Sequence, residues 1–291
     1  MKHKSGFVNI IGSPNVGKST LMNKLVGEKL SIITSKKQTT RHRIQGIVNS
    51  DNYQIIFSDT PGIIKPGYKL HENMMSFVTQ AISDADILIF MTDIYETPSK
   101  HAELIERLSK FEIPVFVLVN KIDQSENEKL IEIIDLWHKA LPKAEILPLS
   151  ALHNMSVDFI MPRLIELLPE SPAYFSKEDL SDRSMRFFVS EIIREKILLI
   201  YKKEVPYSCE VVVQEYKEEE KIIRIRTNIM VSRDSQKAII IGHKGEKAKQ
   251  LGIDARKDIE AFVGKQIYLE LFVKVDKDWR NKEEKLKKYG Y

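Results

Sequence analysis

The chain has 291 residues, 43% hydrophobic and 30% charged, which is ordinary for a globular protein with room for two domains. Its one cysteine, Cys209, excludes an internal disulfide framework and suits a reducing compartment, and no apolar run is long enough to span a membrane. The net charge of +4 is unevenly spread: residues 1–170 carry 19 basic against 20 acidic side chains and residues 171–291 carry 26 against 21, so the positive excess belongs to the C-terminal part, as contact with a polyanion requires.

The first residues, Met1 to Gly6, enter an apolar stretch without a signal-peptide core, so a cytoplasmic location is expected. Over residues 1–170, apolar runs alternate with helix-like segments, the pattern of an α/β fold with a mostly parallel sheet and helices on both faces. Strands are predicted at Phe7–Ile11, Ile44–Asn49, Gln54–Asp59, Ile87–Asp93, Pro114–Asn120 and Glu145–Leu149, with a hairpin turn at Ser50 to Asn52. Helices are predicted over 18–27, 71–84, 99–111, 126–140 and 156–168.

Between the first strand and the first helix lie Gly12, Ser13, Pro14, Asn15, Val16, Gly17, Lys18, Ser19 and Thr20, which fit Gly-x-x-x-x-Gly-Lys-Ser/Thr in the strand-then-helix context that motif needs. Glycines let main-chain N–H groups and a helix N-terminus close on phosphate oxygens. In such a P-loop Lys18 reaches the outer phosphates and the Ser19 hydroxyl ligates Mg²⁺. Asp59, Thr60, Pro61 and Gly62 follow the third strand; Asp59 is placed to complete the Mg²⁺ shell through water and Gly62 to offer an N–H to the terminal phosphate. Thr39 and Thr40 lie in the polar segment between, where a threonine can close on the metal in the triphosphate state; Thr40 is the first choice and Thr39 the second.

Asn120, Lys121 and Asp123 end the fifth strand. A carboxylate at Asp123 can accept from guanine N1–H and its exocyclic amine, a donor pair adenine lacks. Asn120 is expected to brace the loop and the Lys121 stem to lie along the base. Ser150, Ala151 and Leu152 follow the last strand, where the Ala151 N–H is expected near the guanine oxygen. In this order the motifs point to GTP and GDP as ligands, with Mg²⁺.

Beyond Pro169, residues 171–183 read as a polar linker and 184–291 as a second, α+β domain. It should hold a helix from Phe187 to Tyr201, strands Cys209–Glu215 and Ile222–Met230 about a turn at Lys217 to Lys221, a helix over Glu246–Val263 and a strand over Gln266–Val275. Ile241, Gly242, His243, Lys244 and Gly245 form a Gly-x-x-Gly loop opening a helix that carries Lys247, Lys249, Arg256 and Lys257, the arrangement of a KH domain clamping the backbone of single-stranded RNA.

These elements together resemble the G motifs of Ras-like GTPases. The runs Gly12 to Thr20, Gln38 to Arg43 and Asp59 to Gly62, with Val205 to Ser208, Ile241 to Glu246, Ala255 to Asp258 and Tyr268 to Leu271 further on, resemble the bacterial Era GTPases over nearly the whole chain. The resemblance implies a GTPase domain over 1–170 and a KH RNA-binding domain over 184–291. It also implies GTP hydrolysis, binding of the 3′ end of small-subunit ribosomal RNA, and a role on the pre-small ribosomal subunit. Lys18, Asn15, Thr40 and Gly62 are then the catalytic candidates, and Ser19, Thr40 and Asp59 the metal ligands. Ile63 stands where Ras-like switches carry the glutamine that orients attacking water, and by the same resemblance Asn15 would help hold a K⁺ ion in compensation. His243 departs from the basic residue frequent at that loop position.

Arg41 and Arg43, beside the loop, are expected to be solvated or phosphate-facing. The histidines show no metal-ligand spacing, and the Lys282 to Lys288 tail reads as a solvated helix end, with peripheral contact to the inner face of the cell membrane as the alternative. A monomer is expected. Two other functions fit the same residues: an RNA-binding protein holding its nucleotide as a structural ligand, and a membrane-docking regulatory GTPase.

Overall fold

The strands of the N-terminal half are unbroken apolar runs because both of their faces are covered, the condition of parallel strands between helix layers. The computed structural model describes residues 3–291; Met1 and Lys2 lie outside it. It forms β1 (Lys4–Gly12), α1 (Lys18–Val26), β2 (Ile44–Asn49), β3 (Tyr53–Asp59), α2 (Lys69–Ser83), β4 (Ile87–Asp93), α3 (Ala102–Leu108), β5 (Val115–Asn120), α4 (Asn127–Ala140), β6 (Glu145–Pro148) and α5 (Ile160–Leu167). The sheet order is β2-β3-β1-β4-β5-β6, parallel throughout except for the β2–β3 hairpin. All seven residues of β4 are buried. On one side, Phe90 meets Trp137 of α4 edge-on, ring centroids 5.5 Å apart, within a core that includes Val117, Val119 and Ile133. This order puts the carboxyl ends of β1, β3, β4 and β5 side by side, where α/β sheets hold ligands.

Chain contacts divide the protein into two units. One comprises residues up to Ser31, Thr40–Lys65 and Met74–Asp182; the other comprises Ile32–Thr39, Pro66–Asn73 and Arg183–Tyr291. Residues 171–183, expected as a linker, are instead mostly part of the first unit and lie along β2. Leu180 accepts from the Ile47 N–H at 2.9 Å and Ser181 bonds the Gln45 carbonyl at 2.5 Å, while Gln54 of the neighbouring β3 donates to the Phe175 carbonyl at 2.9 Å. The physical reason is that β2 is an edge strand, whose unpaired backbone groups need partners.

The second unit contains α6 (Met185–Ile200), β7 (Cys209–Glu218), β8 (Ile223–Val231), α7 (Asp234–Ile241), α8 (Glu246–Val263), β9 (Ile267–Val275) and α9 (Glu283–Lys288). β7 and β8 form a hairpin, with a bulge between Val213 and Glu215, and β9 runs parallel to β8 after the α7–α8 crossover. β7 extends to Glu218, so the turn is shorter than the charged run suggested. Ile193 and Ile197 of α6 and Leu251, Ala255 and Ile259 of α8 form one core with Val211, Ile225 and Ile229 of the sheet. Lys282, Glu283, Glu284, Lys287 and Lys288 are exposed, as a solvated helix end requires, but the tail is anchored: Leu286 of α9 is buried, and the completely buried Trp279 meets the rings of Tyr289 and Tyr291 at 5.6 and 6.4 Å. Among the described residues no helix is long and apolar enough to cross a membrane.

Candidate nucleotide and RNA sites

The P-loop joins β1 to α1 and wraps its lysine inward. Lys18 is 6% exposed, and its Nζ donates to the carbonyls of Gly12 at 3.2 Å and Ser13 at 2.9 Å. Burial lowers its pKa to about 8, against the opposing charges of Asp59 and Glu96. A cation held this dry needs an anion, and a phosphate group supplies one.

Ser19, Thr40 and Asp59 converge from α1, the segment before β2, and the end of β3. Ser19 Oγ donates to Asp59 Oδ2 at 2.6 Å, and Thr40 Oγ1 lies 3.0 Å from Ser19 Oγ and 3.3 Å from the same carboxylate oxygen. Burial raises the Asp59 pKa, opposed by Lys18 and by the hydroxyl bonds. Its other oxygen, Oδ1, is buried without a hydrogen-bond partner. Two hydroxyls and a carboxylate with an unused oxygen are hard donors that suit Mg²⁺. Thr39, the second choice, turns elsewhere: its hydroxyl donates to the Lys36 carbonyl at 2.7 Å and meets Thr34 Oγ1 at 2.7 Å.

Gly62 approaches the P-loop so closely that a Cβ there would sit 2.7 Å from the Pro14 backbone, and the following N–H, of Ile63, donates to the Gly12 carbonyl at 3.0 Å. Thr60 serves the scaffold, its hydroxyl donating to Ile10 O at 2.7 Å. Asn15 is at the exposed tip with φ 65°. Arg41 and Arg43 are both buried, contrary to expectation. Arg43 bonds Asp84 Oδ1 at 3.0 Å, Ser58 at 3.0 Å and the buried Asn9 at 3.2 Å, because a polar residue inside β1 must be satisfied.

Asn120 ties the two halves of the nucleotide site together. Its Nδ2 donates to the Val16 carbonyl at 2.7 Å, and its Oδ1 accepts from the Ala151 N–H at 2.9 Å. The Ala151 N–H, expected toward the guanine oxygen, is therefore engaged by Asn120: both groups are buried, and neither can be left unpaired. Asp123 follows in the same loop, its side chain 16% exposed. A hydrogen bond from Ser150, helped by nearby His153 at 3.6 Å, lowers its pKa, so the carboxylate is ionised and ready to accept. Leu152 is 68% exposed beside it.

Two residues of the site escaped the sequence reading. Asp93, ending β4, holds Lys121 Nζ at 2.6 Å, and Glu96, three residues on, is buried with Thr92 Oγ1 at 3.2 Å and His101 Nε2 at 3.1 Å. Burial alone would raise the Glu96 carboxyl, yet hydrogen bonds from His101, Lys100 and Ser13 hold it down at about 2. Nothing in spacing distinguishes either from a solvated acid after a strand; the only signal was their place at the carboxyl end of a central strand.

In the second unit, α7 ends at Ile241 and Gly242 takes φ 73°, where a Cβ would meet the Lys247 side chain at 2.8 Å. His243 and Lys244 project from the turn, and Lys247 and Lys249 follow on α8; all four are exposed. The loop surface is therefore basic and open, with the helix N-terminus behind it, a geometry suited to phosphate.

The description "50S ribosome-binding GTPase" matches residues 7–121, and that of the KH domain matches residues 204–280. "GTPase Era" of Staphylococcus epidermidis is 45% identical over all of this chain and 98% of its own length, and that of Staphylococcus haemolyticus is equally similar. The chain belongs to the Era GTPase family. It is therefore a GTPase, a P-loop domain followed by a KH domain. Two solved Era structures superpose with a TM-score of 0.94 over 99% of both chains: Era in complex with MgGDPNP and nucleotides 1506–1542 of 16S ribosomal RNA, at 39% identity, and a variant of Aquifex aeolicus Era bound to GDP.AlF4-, at 38%.

Proposed function

We propose that this Era-family GTPase uses GTP to operate an RNA clamp in the cytoplasm, binding the 3′ end of small-subunit ribosomal RNA while that subunit is assembled. The observation that carries this is the pairing, in one chain, of the hydroxyl–carboxylate cluster at Asp59 with the exposed basic Gly242 to Gly245 loop. The Era structure that holds both MgGDPNP and 16S ribosomal RNA supports it.

The chemistry is phosphoryl transfer to water. Asp123 selects guanine, Asn120 fixes the P-loop against the base-binding loop, and P-loop amides with Gly62 N–H orient the phosphates. Lys18 neutralises charge that grows on the phosphate oxygens. Ser19, Thr40 and Asp59 would hold Mg²⁺, Asp59 through water, and the bound ion would draw charge from the β- and γ-phosphate oxygens. Ile63 has no polar atom with which to orient water. We infer that Asn15 helps hold a K⁺ ion in that role, so hydrolysis should be faster in potassium than in sodium buffer; equal rates overturn this.

The test of the RNA role is crosslinking and sequencing of RNA bound to the full chain with GTP or GDP, with Gly242→Asp/Gly245→Asp as control. Recovery of the 3′ end of small-subunit RNA, lost in the control, is the expected result. Recovery of unrelated RNA, or binding indifferent to the control, refutes it.

A further inference from the structure

The turn that leaves β4 and the loop that leaves β5 are joined residue by residue. The Lys121 ammonium donates to Asp93 Oδ2 at 2.6 Å, the Ile94 N–H donates to the Asn120 carbonyl at 3.3 Å, and the Tyr95 hydroxyl donates to Gln124 Oε1 at 2.9 Å. Asp123 stands between Lys121 and Gln124 in the chain, so its loop is tied on either side of it. The turn that makes these ties is itself held: Asp93 is buried, its Oδ1 accepts from the Tyr95 N–H at 3.0 Å, and its carbonyl accepts from the Glu96 N–H at 3.1 Å. The Tyr95 ring adds a cationic contact, with the Lys121 and Lys129 ammoniums 5.8 and 5.9 Å from its centroid.

Lys121 adopts φ 66° and ψ 31°, the left-handed region that a residue with a Cβ disfavours and keeps only where its surroundings hold it. Stability alone does not account for the ties, because the Lys121 side chain is 28% exposed and Tyr95 62%, and bonds so near water contribute little to folding. We propose that Asp93 and Tyr95 are positioning residues for guanine recognition: they hold the base-binding loop in the conformation that aims the Asp123 carboxylate at the base. With its ammonium anchored on Asp93, Lys121 keeps its methylene stem free to lie along the ring. The loop is then set before nucleotide arrives, and binding is spared the cost of ordering it. This rests on the reading of Asp123 as the guanine acceptor.

The test uses the full chain, with affinities for GDP and for inosine diphosphate, which lacks the exocyclic amine, measured by displacement of fluorescently labelled GDP. Asp93→Asn keeps an acceptor for the Tyr95 N–H but loses the ion pair, and should weaken GDP binding about tenfold, as loss of a hydrogen bond to a charged group implies. Tyr95→Phe loses a neutral hydrogen bond and should weaken it about threefold. In both variants the preference for GDP over inosine diphosphate should shrink, since a poorly aimed carboxylate gains less from the second donor. In GTP turnover KM should rise with kcat little changed, because contacts to the base are the same in the ground and transition states. If Asp93→Asn does not fold, the exposed Tyr95→Phe carries the test. A wild type that prefers GDP, with variants that share its affinity and preference, overturns the proposal alone, even where their melting temperature falls. Tighter GDP binding by Asp93→Asn also overturns it, since Asp93 would then compete with nucleotide for Lys121. A wild type that binds GDP and inosine diphosphate alike removes the reading of Asp123, and this proposal with it.

Discussion

Replacing Lys18 with Met should make the nucleotide-free protein more stable while abolishing its response to GTP. The ammonium is buried, and its pKa of about 8 against an ordinary 10.5 means that keeping it charged costs about 3 kcal/mol at neutral pH. Met fills similar volume without charge but leaves the Gly12 and Ser13 carbonyls without their donor, which offsets about 1 kcal/mol each. The net gain is about 1–2 kcal/mol, or roughly 3–6 °C in melting temperature for a unit of this size. The assay is thermal unfolding of nucleotide-free protein in EDTA, with and without added GDP. Wild type should melt lower alone and rise with GDP; Lys18→Met should melt higher alone and be indifferent to GDP. The pH dependence has a definite sign. Between the folded pKa near 8 and the unfolded value near 10.5, the unfolded chain binds one more proton than the native one. Wild-type stability should therefore rise with pH across that window relative to Lys18→Met. A variant that melts below wild type at pH 7 without nucleotide would refute the reasoning.

Three further changes isolate other parts. Asp123→Asn should cost GTP affinity 100-fold or more, and should improve binding of xanthosine triphosphate, whose 2-oxo group accepts where guanine donates; competition binding measures both. Lys244→Glu should weaken RNA binding across sequences and flatten its salt dependence, by about one unit of slope for the lost lysine contact alone, with GTP turnover in the absence of RNA unchanged. Arg194, 1% exposed and paired with Glu191 on α6, also donates to the Thr39 carbonyl. Arg194→Met should destabilise the second unit by about 3–5 kcal/mol through the charge left on Glu191, and Arg194→Met/Glu191→Leu should recover much of it; chemical denaturation decides.

What sequence reveals and conceals here follows from the range of the forces involved. Strands β3, β4 and β5 were legible to within a residue because a strand buried on both faces must be apolar along its length, as Ile87 to Met91 is; β1 begins three residues before its apolar run, at the polar Lys4. The P-loop and the Asn120 to Asp123 run were legible because phosphate and guanine each impose residue types at fixed short spacing. The contacts that complete the site join residues far apart in the chain, and periodicity carries no trace of them. Asn120 meets Val16 across 104 residues, and Arg43 meets Asp84 across 41. The Ala151 N–H shows the limit most clearly: it was expected toward a guanine oxygen, but its partner in the fold is Asn120, 31 residues earlier. The segment Ile32–Thr39 makes the same point for domain boundaries. It reads as one polar loop of the GTPase half, yet it belongs by contact to the second unit. There the Lys36 ammonium bonds the Leu198 and Tyr201 carbonyls at the end of α6 and the Ile33 N–H donates to Glu195 at 3.1 Å. Carbonyls at a helix end have no intrahelical partner, so a lysine from elsewhere in the chain is stabilised there whatever domain its sequence neighbours build.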